Sequence, residues 1–136
     1  MRHLIIAAFA AGLFALPATA QPAKRTTGAT VMQNVPANST TVTNYYKQSV
    51  YDASDNKIGD VNDVLIGRDG RVTALVVGVG GFLGVGEKDV LVPFNAVRAT
   101  TKDNKWYLVM NTTKDSLKAA PGFKYDRSKM TWAPDR

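Results

Sequence analysis

From Tyr45 onward, short apolar runs alternate along the chain with clusters of turn-forming residues. Runs of this length that are rich in valine predict β-strands. The run at 72–79 is almost continuously apolar, which predicts a strand buried on both faces, because β-branched side chains suit a pleated sheet. The pattern predicts strands over 46–51, 58–66, 72–79, 90–94 and 106–111, with 97–101 as an extension of the fourth.

Turn signals separate these strands and mark one helix. Gly70 lies in the clearest hairpin turn, at 68–71, because glycine adopts the positive φ that such turns need. A short helix is predicted over 113–120, capped by Thr112 or Thr113 and ended by the Pro-Gly pair at 121–122. The remaining residues, 123–136, are basic, aromatic and expected to be irregular. The fold class predicted is mostly β: a small, strongly bent β-barrel of five to six short strands with one short C-terminal helix.

The first twenty residues have the layout of a secretory signal peptide. A basic start is followed by an uncharged apolar run at 4–16, by Pro17, and by Ala18-Thr19-Ala20. We expect cleavage after Ala20 and a periplasmic or secreted mature protein, since the apolar run is too short to span a bilayer. The predicted organisation is a signal peptide at 1–20, a flexible linker at 21–44, a β-domain at 45–124 and a basic C-terminal tail at 125–136.

Composition excludes many kinds of catalytic and metal site. The chain has no cysteine and one histidine, His3, which lies within the predicted signal peptide. A thiolate metal site, a cysteine nucleophile and a Ser-His-Asp triad are therefore not expected. We expect no enzymatic activity, no cofactor and no bound metal.

Two further patterns invite a chemical reading. The glycine loop at 80–86 does not fit a nucleotide-binding motif, because Leu83 stands where the third glycine of G-x-G-x-x-G belongs and no helix follows. Its apolar residues Phe82, Leu83 and Val85 either fold back over the mouth of the barrel or form an exposed tip that binds a partner.

Five aspartates lie close together in the sequence and are expected to serve turns rather than catalysis: Asp52, Asp55, Asp60, Asp63 and Asp69.

Charge is divided unevenly along the chain, whose net charge is +6. The strand region at 45–97 holds five basic and seven acidic residues, whereas 98–136 holds nine basic and four acidic residues. In an exported protein, a basic surface of this kind suits anionic lipid headgroups or an acidic partner better than nucleic acid, which we do not expect to be bound. The candidate residues for such a surface are Lys114, Lys118, Lys124, Arg127 and Lys129.

Most of the predicted β-domain resembles the PRC-barrel domain family. The similar segments are the one at 49–65, the run with its glycines at 69–84, the strand at 90–94, and the ending at 117–123, which is similar to that of exported bacterial members. The family is named after a domain of the photosynthetic reaction-centre H subunit, and a related domain occurs in a ribosome-maturation factor. The resemblance implies a small β-barrel that serves as an assembly or interaction module without shared catalytic residues.

Together these observations predict a non-enzymatic, exported protein that acts as a protein-interaction or assembly module in the bacterial cell envelope. The alternative is a peripheral binder of anionic membrane surfaces that uses its basic C-terminal third. The partner expected is an envelope protein of unknown identity, and self-association is a further expectation because small sheets leave edges that can pair.

Overall fold

The valine-rich runs form the strands of one sheet in the protein, whose structure is a computed structural model describing residues 12, 15, 17–19, 31–81 and 86–136. The described residues of the N-terminal unit Met1–Val35 lie in neither a helix nor a strand. The second unit, Pro36–Arg136, contains the elements of the fold. They are β1 Ser49–Tyr51, β2 Lys57–Ile66, β3 Val72–Val79, β4 Lys88–Pro93, β5 Val97–Lys102, β6 Lys105–Met110, α1 Lys114–Ala119, β7 Phe123–Asp126 and β8 Thr131–Pro134, with 3-10 turns at Val42–Asn44 and Phe94–Ala96.

The eight strands form one sheet in the order β5-β6-β1-β2-β3-β4-β7-β8. All neighbouring pairs are antiparallel except β1 and β6, which are parallel. The prediction of a mostly β protein is confirmed, but the prediction of a closed barrel of five to six strands is wrong. The sheet stays open because β5 pairs with β6 at one end, while the C-terminal hairpin adds beyond β4 at the other.

Two of the predicted segments differ in the structure. The segment at 97–101 does not extend β4, since Pro93 ends that strand and a 3-10 turn leads into the separate strand β5. Proline has no backbone N–H to donate to a neighbouring strand, which explains why β4 stops there. The expectation that 123–136 is irregular is also wrong, because β7 and β8 form an antiparallel hairpin within it.

The core lies beneath the central strands and contains side chains from β1 to β6. In β3, Leu75, Val76 and Val77 are fully buried, which confirms the prediction of a strand covered on both faces. Leu117 of α1 joins the same cluster, and the Thr113 side chain caps this helix by accepting the Ser116 N–H at 3.1 Å. The predicted helix is therefore confirmed, and its packing closes one side of the core.

Two glycines let β2 and β3 approach closely. A Cβ on Gly59 would lie 2.5 Å from the carbonyl oxygen of Gly78, which is too close for any side chain. Gly70 has a φ of 81° in the turn between these strands, as the sequence pattern predicts. Among the described residues, no helix combines the length and the hydrophobicity needed to cross a membrane.

Candidate functional site

A groove lies between the second half of β2 and the C-terminal hairpin of β7 and β8. We call it the β2 groove; one wall is formed by the β2 residues 63–66 with Thr73 of β3, and the other by Tyr125, Met130, Thr131 and Trp132. In the sheet order, three strands separate β2 from β8. The sheet must therefore curl strongly to bring the hairpin over β2, and this curl creates the groove.

One hydrogen bond joins the two walls. The indole N–H of Trp132 donates to Oδ2 of Asp63 at 2.7 Å. The other oxygen of the same carboxylate accepts the backbone N–H of Val64 at 2.8 Å. Asp63 thus serves two donors, one from each wall, and fixes the hairpin relative to β2.

Local sequence explains why the hairpin has its shape. Tyr125 and Trp132 are directly opposite each other in the ladder, and their rings meet edge to face with centroids 6.0 Å apart. In the turn, Oδ1 of Asp126 accepts the hydroxyl of Ser128 at 2.6 Å and its backbone N–H at 2.9 Å. The Ser128 hydroxyl contributes most to holding the pKa of Asp126 below its ordinary value. A carboxylate that accepts several donors in this way stabilises the turn in its ionised form.

Large apolar side chains are unusually exposed at the groove. Ile66 is 61% exposed, Tyr125 is 47% exposed and Met130 is 79% exposed. Contiguous exposed apolar side chains with a polar rim are typical of surfaces that bind another molecule. Sequence reasoning missed this surface: it described 123–136 as basic, aromatic and irregular, and it left Ile66 and Met130 unmarked. The sequence signal that could have revealed the surface is the position of Ile66, which directly precedes the turn glycine Gly67.

The basic candidates lie on two separate elements. Lys114 and Lys118 belong to α1, Lys124 lies on β7, and Arg127 and Lys129 lie in the turn of the hairpin. Lys124 pairs with Asp135 at 3.2 Å, and Lys129 lies 3.9 Å from Asp126, so two of these charges are partly offset. The hairpin brings three of the five together beside Tyr125.

The apolar loop candidates Phe82, Leu83 and Val85 lie outside the described residues. The last residue of the loop, Gly86, has a positive φ of 75°, and next to it Glu87 accepts an amide N–H of Asn62 at 2.5 Å. The same amide nitrogen of Asn62 donates to Asp89 at 2.7 Å. These bonds anchor the start of β4 against β2.

The aspartates of the strand region mostly serve local structure. Asp52 accepts the backbone N–H groups of Ser54 and Asn56 at 2.8 and 2.9 Å, and the Asn56 N–H contributes most to lowering its pKa. Asp69 likewise accepts the N–H of Arg71 at 3.1 Å. In the part of the chain that the structure describes, no three His, Cys, Asp or Glu side chains gather as metal ligands would. Two of the five also make contacts with residues distant in the sequence: Asp55 pairs with Lys102 of β5 at 2.6 Å, and Asp63 joins the walls of the β2 groove.

Comparison with known protein families gives one match. The family described as the PRC-barrel domain matches residues 39–117, which is more than half of the chain. The matched region runs from just before β1 to α1 and ends before the hairpin of β7 and β8. A search of the curated proteins found no match. The C-terminal hairpin, and with it one wall of the β2 groove, thus lies beyond the matched region.

Proposed function

The chain belongs to the PRC-barrel domain family, and from this premise we propose that it is an exported, non-enzymatic protein-interaction module of the bacterial cell envelope. The family suggests a small β-domain of the interaction type. The observation that carries the proposal is the β2 groove, where Ile66, Tyr125 and Met130 leave large apolar side chains in contact with water. Covering such a surface with a partner removes apolar area from water and thereby stabilises a complex.

The absence of enzymatic activity is supported by the chemistry of the groove itself. General acid–base catalysis needs a group that is positioned to exchange a proton with a substrate. The carboxylate in the groove, that of Asp63, already accepts two hydrogen bonds from the protein's own N–H groups. The other polar side chains there are the hydroxyls of Thr73, Thr131 and Tyr125, without a histidine or cysteine to activate them.

A photo-reactive amino acid placed at Met130 tests the proposed interaction in intact envelopes. Met130 is strongly exposed, so the substitution should leave the fold intact. The matched control position is Thr100 of β5, which is also exposed but lies at the opposite end of the sheet. We expect one predominant protein adduct from Met130 and none from Thr100. Adducts at neither position, or equal adducts at both, would contradict a partner-binding role for the groove.

Export is supported by the three-part pattern of the first twenty residues. Mass spectrometry of the protein recovered from the periplasm and from the medium tests it. We expect a mature chain that begins at Gln21. A protein that is recovered only from the cytoplasm, with residues 1–20 still attached, would refute export.

A second function, peripheral binding to anionic membranes, is favoured by the tip of the hairpin. There Met130, 79% exposed, lies next to Lys129 in the turn that also holds Arg127. Basic residues near a membrane surface contribute about 1 kcal/mol each to binding anionic lipids. The groove favours the protein partner, because its apolar residues lie on two facing walls and Ile66 belongs to the wall away from the basic tip.

A further inference from the structure

We propose that the β2 groove binds an extended segment of the partner, which adds to β2 as a further strand and carries acidic residues at one end. This inference rests on the proposed interaction function and specifies the chemistry of the partner. Its support comes from three independent features of the groove: an unpaired strand edge, apolar side chains on the facing wall, and a basic turn at one end.

The backbone of β2 is available along the groove. β1 pairs with β2 only over the first part of that strand, at Lys57, Gly59 and Asp60. Beyond the backbone bonds of Val61 with the residues preceding β1, no described strand pairs with β2 on that side. Residues in an antiparallel strand alternately turn their N–H and C=O groups toward opposite neighbours. Among the described residues, the backbone of the second half of β2 thus pairs with β3 alone and presents an open edge.

Asp63 marks where this edge is open. The N–H of Val64 is satisfied by the carboxylate of Asp63 at 2.8 Å rather than by a neighbouring strand. Proteins commonly protect exposed strand edges with charged side chains, because unpaired N–H and C=O groups attract other strands. A bound segment would supply a backbone carbonyl to Val64 in place of this carboxylate. Since Asp63 also accepts the indole N–H of Trp132, binding would change the environment of that indole.

The facing wall offers sites for side chains of the added strand. An extended segment points alternate residues to the same side, about 7 Å apart. Tyr125, Met130 and Trp132 cover the groove from the hairpin, with Ile66 exposed on the β2 side. In recognition by strand addition, backbone hydrogen bonds provide affinity and pockets for alternate side chains provide specificity. The groove therefore fits a segment whose alternate residues are apolar.

Charge fixes the chemistry of one end of the segment. Beyond Asp63, β2 runs through Ile66 to the turn at 67–71 that follows the strand. This turn contains Arg68 and Arg71 against Asp69. Among the described residues, Arg68 forms no ion pair, and Arg71 approaches Asp69 only to 4.0 Å. The excess of positive charge at this end complements an acidic segment.

Synthetic peptides of about eight residues, a usual strand length, provide the test. The probe has alternating valine and threonine in its middle and two glutamates at each end, so that either strand direction places acid at the basic turn. One control peptide has lysine in place of glutamate, and another carries N-methyl groups on alternate middle residues to remove backbone N–H donors. Binding is followed by the NMR signals of the Trp132 indole N–H and the Val64 amide in the mature chain.

We expect saturable binding of the glutamate peptide that shifts both NMR signals, with affinity about tenfold weaker for each control peptide. The exposed position of Ile66 makes Ile66→Asn a suitable groove variant, because it removes the apolar side chain without adding charge, and Thr100→Asn is its control; only the first should weaken binding. Equal binding of the N-methylated peptide, or no saturable binding of the glutamate peptide, would overturn strand addition. Dimerisation of the free chain that Ile66→Asn abolishes would instead assign the edge to a second copy.

Failure of this inference can be told apart from failure of the proposed function. Crosslinking of a partner at Met130, combined with no peptide binding, would keep the interaction function and remove the extended-segment mode. Absence of both would remove both.

Discussion

Replacing Trp132 by phenylalanine removes the donor that joins the C-terminal hairpin to β2. Phenylalanine keeps an aromatic ring opposite Tyr125, so the main change is loss of the indole N–H that donates to Asp63 at 2.7 Å. A hydrogen bond to a charged acceptor is worth about 1.5–3 kcal/mol, and the partial exposure of this pair places it at the low end of that range. We expect Trp132→Phe to lower the free energy of unfolding by about 1.5 kcal/mol, or Tm by roughly 6 °C in a domain of about 100 residues.

A double-mutant cycle with Asp63→Ala isolates the bond between the walls. Unfolding by urea would be measured for the parent, for each single variant and for the double variant, with a coupling energy of about 1.5 kcal/mol expected. Trp106→Phe is the matched control, because the indole N–H of Trp106 donates to the carbonyl of Asn44 at 2.6 Å rather than to Asp63. The reasoning would be refuted if the coupling energy between Asp63→Ala and Trp106→Phe equalled the coupling energy between Asp63→Ala and Trp132→Phe.

Three other outcomes follow from the structure. Gly59→Ala should destabilise the fold by about 1–3 kcal/mol in urea unfolding, because the added Cβ would meet the backbone oxygen of Gly78. Gly78→Ala should destabilise the fold less, because the Cβ added there would meet the movable side chains of Glu87 and Asn62. Ser128→Ala should raise the pKa of Asp126 toward its ordinary value of 3.8, as measured by NMR titration. Folding lowers this pKa, so the ionised Asp126 stabilises the folded protein at pH values above 3.8. This stabilisation is lost as the pH falls through the lower pKa of the folded state. In a flotation assay at physiological salt, the mature protein should not rise with vesicles of anionic lipid. Salt-sensitive co-flotation of the protein would favour the membrane function instead.

The central strands could be predicted because local sequence alone determines them. The run Val72–Val79 contains valines and leucine without a charged interruption, and a strand at the centre of a sheet needs nothing else to be identified. Thr113 and the Pro-Gly pair after Ala120 similarly mark both ends of α1. These signals act over a few residues, so one sequence is enough to read them.

The open sheet and the groove could not be predicted because they depend on contacts between distant segments. β1 is only three residues long and lies between β2 and β6, an arrangement that no local pattern encodes. The hairpin of β7 and β8 was hidden by its short strands and basic residues, although the Asp126–Ser128 turn was a usable signal. Trp132 and Asp63 are 69 residues apart, and only the curl of the sheet brings them together. The predicted loop site at Phe82, Leu83 and Val85 stays a prediction.

The most direct test of the interaction function uses the partner protein that is identified by crosslinking at Met130. This partner is purified, and its affinity for variants of this chain is measured. Calorimetry would compare the parent with Ile66→Asn and Thr100→Asn, after thermal unfolding has shown that all three are folded. The groove predicts that Ile66→Asn weakens binding about tenfold or more, as expected when a polar amide replaces an apolar contact, while Thr100→Asn leaves it unchanged. Equal affinity of the parent and Ile66→Asn would contradict the assignment of partner binding to the β2 groove.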